Sequence, residues 1–173
     1  MERTPSQRES WSERGAPSPA LAPPPPALSA ARMVIFRAGG ERFALPLEAV
    51  REVVVPQPPF ARVPRAGAAV KGGMNLRGRV VAVVELAPLL GLAPDALGPA
   101  QGHVLVLERD RRGLGLLVAA VLGVDAVALP GPGAGEPGAP SRGVAAVRGA
   151  PVTVLDPETL ELRAAALFGA APT

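Results

Sequence analysis

One stretch of this chain is written twice, and that repeat limits the folds open to it. Residues 70–86 read VKGGMNLRGRVVAVVEL and residues 144–160 read VAAVRGAPVTVLDPETL. Arg77-Gly78 in the first recurs as Arg148-Gly149 in the second, 71 residues later (148 − 77). At the same offset Val81 meets Val152, Val83 meets Val154, Val84 meets Leu155 and Glu85 meets Asp156. Upstream, Phe36 meets Leu107, Phe43 meets Leu114, Leu45 meets Leu116, Val50 meets Val121 and Val53 meets Val124. Any single match is weak in so Val- and Leu-rich a chain. A constant offset across both segments implies two structurally similar halves, about 32–92 and 102–169.

Each half reads as short strands. Residues 79–86 carry Val80, Val81, Val83 and Val84, and β-branched side chains suit a pleated surface. The run is apolar on both faces up to Glu85, which predicts a covered strand. Arg77-Gly78 is a turn between two extended runs, with Gly78 supplying φ > 0. Further strands are expected over 33–37, 42–47, 48–55, 103–108, 114–119, 121–129, 144–147 and 152–155. Gly39-Gly40 marks a hairpin, and Pro56, Pro58 and Pro59 stop the third strand because proline has no N–H to pair. Residues 61–72 and 87–91 each allow a helical turn. A terminal helix should run from Pro157 to about Phe168, with Asp156 as N-cap and Pro157 at N1, burying Leu160, Leu162, Leu167 and Phe168. About ten short strands in two similar halves predict an all-β protein of two small five-stranded barrels, with a short C-terminal helix. Closing each sheet removes its sticky edges.

Outside this unit lies residues 1–31, a polar, Pro-rich tail with Pro23-Pro24-Pro25-Pro26 and the sole tryptophan, Trp11. It buries too little apolar surface to offset its ordering entropy and reads as disordered, with polyproline II at the proline run. A second Pro/Gly segment, 130–141, reads as a flexible loop. No signal-peptide core opens the chain, and the longest apolar run, 114–124, falls short of the ~20 residues a spanning helix needs and reads instead as a buried strand pair. The expected address is cytoplasmic, without membrane insertion.

Composition argues against catalysis. There is no Cys and no Tyr, and His103 is the only histidine. Every serine but Ser141 lies before Met33, so no Ser-His-Asp arrangement is available in the core. A lone strand-edge histidine reads as packed or solvent-facing, with no partners for a metal. Glu85 and Asp156 each follow a covered strand. They might pair as catalytic carboxylates if the halves were close, but each more simply caps the helical turn after it. No phosphate loop or dinucleotide fingerprint is present. The reading is a binding module with no cofactor and no metal. Net charge is only +3, and acids are interspersed with bases; the densest cluster, Arg109, Arg111 and Arg112, is diluted by Glu108 and Asp110. With aromatics at 3%, stacking platforms for nucleic acid are lacking as well. Arg77 and Lys71 flank an apolar, Gly-rich surface, a mixture favoured at interface hot spots, and Val50, Glu52 and Val53 form a second candidate patch. The plain alternative is that Arg77 pairs with a carboxylate on its own surface.

The order FRAGGERFALPLEAVREVV, a Val-Pro, VKGGMNLRGRVVAVVEL, LGLLVAAVLGV and GVAAVRGAPVTVLDPETL resembles the CheW coupling-protein family of bacterial chemotaxis, over about residues 32–168. The resemblance implies two intertwined five-stranded β-barrels, of the SH3 or OB kind. It implies a non-catalytic adaptor between chemoreceptor cytoplasmic tips and the regulatory domain of a CheA-type histidine kinase, recruited to receptor arrays at the inner membrane. Carried over by motif, Arg77 resembles the family's coupling arginine, with Asn75 and Gly78 beside it in NLRG. Val50, Glu52 and Val53 fall in its contact segment, and Lys71 and Gly72 match its KG turn. Two departures lie in the second half: Ala119 stands where the family usually has Asp, and the run 130–141 replaces the loop before the last hairpin. They motivate a second reading, a divergent scaffold serving a non-chemotaxis kinase pathway. A third, a barrel that binds nucleic acid, rests on arginine content alone.

Overall fold

The computed structural model describes residues 30–107, 113–131 and 134–169. The expected tail with Trp11 and the arginine cluster at 109–112 lie outside those residues. Ten strands and two short helices follow in order: β1 (Ala30–Ala38), β2 (Glu41–Pro46), β3 (Val50–Val54), β4 (Val70–Leu76), β5 (Arg79–Glu85), α1 (Leu86–Leu89), β6 (His103–Leu107), β7 (Gly113–Val118), β8 (Ala120–Ala128), β9 (Ser141–Val147), β10 (Ala150–Leu155) and α2 (Pro157–Ala166). The first strand starts at Ala30, before the expected tail boundary, because Ala30 and Ala31 pair with Ala128 and Val127.

The strands form two five-stranded sheets, β8-β1-β2-β10-β9 and β3-β6-β7-β5-β4. At the offset of 71, β1–β5 map onto β6–β10. Each sheet therefore takes the first two strands of one half and the last three of the other. Correspondence extends to register. In the parallel ladder between β2 and β10, Phe43 lies opposite Thr153; in that between β7 and β5, Leu114 lies opposite Ala82. Even the bulges match: β4 against β5 slips between Val70 and Gly72, and β10 against β9 slips where Ser141 and Gly143 stand. The halves are thus intertwined, and neither is a compact unit alone.

The main core lies where the sheets meet. Phe36, Phe43 and Leu45 of one sheet pack with Leu105, Leu107, Leu116 and Val118 of the other, and Leu86, Leu155 and Leu160 join them. The rings of Phe36 and Phe43 stack at 6.2 Å between centroids. Two satellite cores fill the individual sheets, one around Met33, Val127 and Val154, the other around Met74, Val83 and Val106.

Several local expectations are corrected. Residues 61–72 form no helix; Ala61 instead exchanges both backbone hydrogen bonds with Gly73, at 2.7 and 2.8 Å, and so covers the β4 edge. The strand 79–86 is covered only from Val81 onward, since Val80 is 74% exposed. The apolar run 114–124 is buried only in its β7 part, because Leu122 and Val124 on β8 face out. In α2, Leu160 and Ala164 are buried one turn apart, as i, i+4 spacing requires; Leu162 lies on the opposite side, 73% exposed, and Phe168 is exposed too.

The helix start is as expected. Asp156 Oδ2 accepts from the Thr159 amide at 3.0 Å and the Thr159 hydroxyl at 2.6 Å, and Asp156 Oδ1 accepts from Arg142 Nε at 2.9 Å. Burial acts to raise this carboxyl, but the Thr159 hydroxyl and amide, then Arg142, outweigh it and hold it below the ordinary aspartate range. A carboxylate depressed in the folded state adds stability above its unfolded pKa of about 3.9 and loses it as pH falls through the folded value. Asp156→Ala should therefore cost about 1 kcal/mol near pH 7. Urea unfolding at a series of pH values should show its gap to the wild type closing below about pH 4; a gap independent of pH would contradict the capping role.

Candidate functional site

The β4–β5 turn is a two-residue hairpin loop whose central residues, Arg77 and Gly78, have φ of 50° and 81°. Positive φ at both positions is the type I′ pattern, which matches the twist of the strands and favours Asn-Gly. Glycine satisfies it at the second position. At the first, an arginine occupies the left-handed region that L-residues with long side chains rarely adopt. Asn75 supports the turn from one residue further back, its Oδ1 accepting from the Gly78 amide at 2.9 Å.

From that apex the Arg77 guanidinium reaches Glu52 of β3, Nη2 to Oε2 at 3.1 Å. β3 and β4 are the two outer strands of their sheet, so the pair spans edges that only curling of the sheet can bring together. Arg77 is 79% exposed and Glu52 20%. Burial alternates along β3, with Val50, Glu52 and Val54 half-buried and Arg51 and Val53 exposed. Val50 pairs with Leu107 and Glu52 with Val106, so Arg51 is the extra residue of a β-bulge. Val53 and Val55 are exposed.

Of the eight residues named from sequence, five gather on this edge: Arg77, Gly78, Asn75, Glu52 and Val53. Val50 is half-buried against the inter-sheet core. Lys71 is turned onto Glu85, Nζ to Oε2 at 2.6 Å. Gly72 (φ 135°) is required by close approach, since a Cβ there would sit 2.5 Å from the Ala61 carbonyl oxygen and 2.9 Å from Phe60 Cβ. Gly72 is buried and shapes the fold beneath the site, while the Lys71 side chain stays 40% exposed. Glu85 and Asp156 are held by separate partners, Lys71 and Arg142, and Glu85, expected as a cap, makes no side-chain bond to α1. His103 is half-buried with its Nδ1 enclosed and unbonded.

The sequence reading did not single out a second constellation, although Arg148 is the offset partner of Arg77. Arg148 has φ 51° at the β9–β10 turn, and its Nε donates to Asp125 Oδ2 of β8 at 2.8 Å. β8 and β9 are again the outer strands of their sheet. Between them opens a depression of about 130 Å³ with Ile35, Val147 and Val152 at its floor. The signal was the repeat itself, but its acid is displaced: Asp125 corresponds to Val54, and Gly123 stands in the place of Glu52.

Residues 32–163 match the family model of the CheW-like domain. Among curated proteins, the probable chemotaxis protein CheW of Rhizobium etli is 37% identical over 90 residues, 51% of this chain and 56% of that protein. Protein PilI of Pseudomonas aeruginosa is 36% identical over 89 residues, 51% of this chain and 49% of its own length. The chain thus spans about half the length of the curated relatives it matches. Among solved structures, the scaffolding protein TtCheW of Thermoanaerobacter tengcongensis has a TM-score of 0.61 at 22% identity, over 74% of this chain and 85% of that one. That likeness shows a shared fold.

An ion pair this exposed contributes no more than about 1 kcal/mol, while asparagine is the better residue for a left-handed turn position. Arg77→Asn should therefore leave stability within about 1 kcal/mol of the wild type or raise it. A thermal or urea midpoint that falls by more would show that the fold needs the arginine.

Proposed function

The chain belongs to the CheW-like domain family, and from that premise we propose that it is a non-catalytic adaptor in chemotaxis-type signalling. It joins the cytoplasmic tips of chemoreceptors to the regulatory domain of a CheA-type histidine kinase. It acts in the cytoplasm, at receptor arrays on the inner membrane. No helix among the described residues is long and apolar enough to cross a membrane.

One observation carries this reading. Arg77 occupies an exposed apex whose backbone conformation another residue would adopt more easily. Strain of this kind is retained where a side chain serves something beyond its own turn. The guanidinium stands on the edge that also exposes Val53 and Val55. Arginine beside exposed aliphatics suits a protein partner, and the weak bond to Glu52 lets the guanidinium be shared with, or passed to, a partner's carboxylate. No observation favours a nucleic-acid partner. Nor does Ala119 favour a divergent pathway: it lies at the crossover between β7 and β8, where its backbone N–H donates to the Arg37 carbonyl at 2.8 Å, a bond most residue types can make.

The test is a titration of the chain against the regulatory domain of a CheA from the same cell, and against receptor-tip fragments. The folded Arg77→Asn protein should lose more than about 1 kcal/mol of affinity, roughly fivefold, for at least one of them. Equal affinity of variant and wild type would remove Arg77 from the interface. A folded wild type that binds neither would overturn the adaptor reading.

A further inference from the structure

Glu85 is the one charged side chain fully buried among the described residues, at 2% exposure. A buried carboxylate is tolerated only when its oxygens are engaged by charge and hydrogen bonds. Both oxygens of Glu85 are. Oε2 meets Lys71 Nζ at 2.6 Å, and Oε1 accepts from the Asp95 backbone N–H at 3.1 Å. The chain of contacts then continues. Asp95 Oδ2 accepts from the backbone N–H of Gly39 at 2.9 Å. Gly39 sits in the β1–β2 turn, in the other sheet.

The steps have a direction. Lys71 is on β4, an outer strand of one sheet; Glu85 ends β5 beside it; Asp95 lies in the connector between the two halves; Gly39 belongs to the opposite sheet. The same connector is pressed onto the same turn by packing, since a Cβ on Gly39 would lie 2.8 Å from Leu92 Cβ. Leu92 in turn packs against the inter-sheet core.

The other half provides a built-in comparison. At the offset of 71, Lys71 and Glu85 correspond to Arg142 and Asp156, which also form an ion pair. There the carboxylate turns to Thr159 and caps α2. The repeat alone thus accounts for an ion pair at this position. It does not account for the burial of Glu85 or for the continuation through the connector to Asp95 and Gly39.

We infer that Lys71, Glu85 and Asp95 form a charged tie between the two sheets, in which Lys71, its side chain 40% exposed, acts as a positioning residue. The tie itself does not depend on the adaptor reading. Only its consequence does: β4 also leads into the Arg77 turn, so the tie fixes that turn relative to the opposite sheet.

The experiment is residue-resolved amide hydrogen exchange on the full chain without any partner, so the outcome is separate from that of the kinase titration. Lys71→Met should speed exchange at Asp95 and Gly39 by roughly tenfold or more, as loss of charge-assisted bonds would. Lys71→Arg should preserve protection. Arg142→Met should expose the Thr159 amide but leave Gly39 as in the wild type. Asp95→Ala removes the last link alone and should speed Gly39 even if Lys71→Met does not fold. Unchanged exchange at Gly39 in Asp95→Ala or in a folded Lys71→Met would overturn the tie. So would an equal loss at Gly39 in Arg142→Met, which would reflect general loosening.

Discussion

Phe43 and Thr153 lie side by side in neighbouring parallel strands, although most of the described chain separates them in sequence. That ladder and its counterpart between β5 and β7 make one fold out of two similar halves. A hairpin such as β1–β2 is local, but a parallel neighbour must come from elsewhere in the chain. Here it comes from the other half each time, and the main hydrophobic core forms only when both sheets are complete. Such distant pairing carries a loop-closure cost before it yields any contact, which points to slow folding.

The repeat keeps a shared frame and varies what the frame carries. Both sheets place an arginine at a left-handed turn apex and bond it across to an acid on the far edge, Glu52 in one and Asp125 in the other. Both set a basic residue against the acid that ends the inner strand of the hairpin, yet one such acid is buried and holds the connector while the other caps a helix. Backbone register is conserved because it is set by the twist and bulges of the sheets. Side-chain use can diverge wherever a position lies at the rim.

Much of this was legible in the residues. Valine density and turn glycines gave the strands their places, and the offset of 71 holds in structure down to the bulges. Asp156-Pro157 marked the helix start correctly. The intertwining was not legible from pattern, because periodicity shows which face of a strand is buried and not which strand lies beside it; it came from the resemblance. The errors have local causes. Leu122 and Val124 looked like core by hydropathy but lie on an outer strand. Lys71 and Gly72, contact candidates by motif, also have roles within the fold that the motif did not show: Lys71 bonds the buried Glu85, and Gly72 permits a close backbone crossing. At Arg77 the sequence showed an arginine out of place in a turn and left open a pairing with a surface carboxylate; only the folded chain brings Glu52 to it.

The most direct test of the intertwined frame is to produce residues 30–101 and 102–169 as separate chains and record their NMR spectra alone and mixed. Each alone should give the narrow amide dispersion of an unfolded chain, and mixing should restore the dispersed spectrum of the intact protein. A dispersed, cooperatively unfolding spectrum from either piece alone would mean that a half can complete its own sheet, and would contradict the exchange of strands on which this account rests.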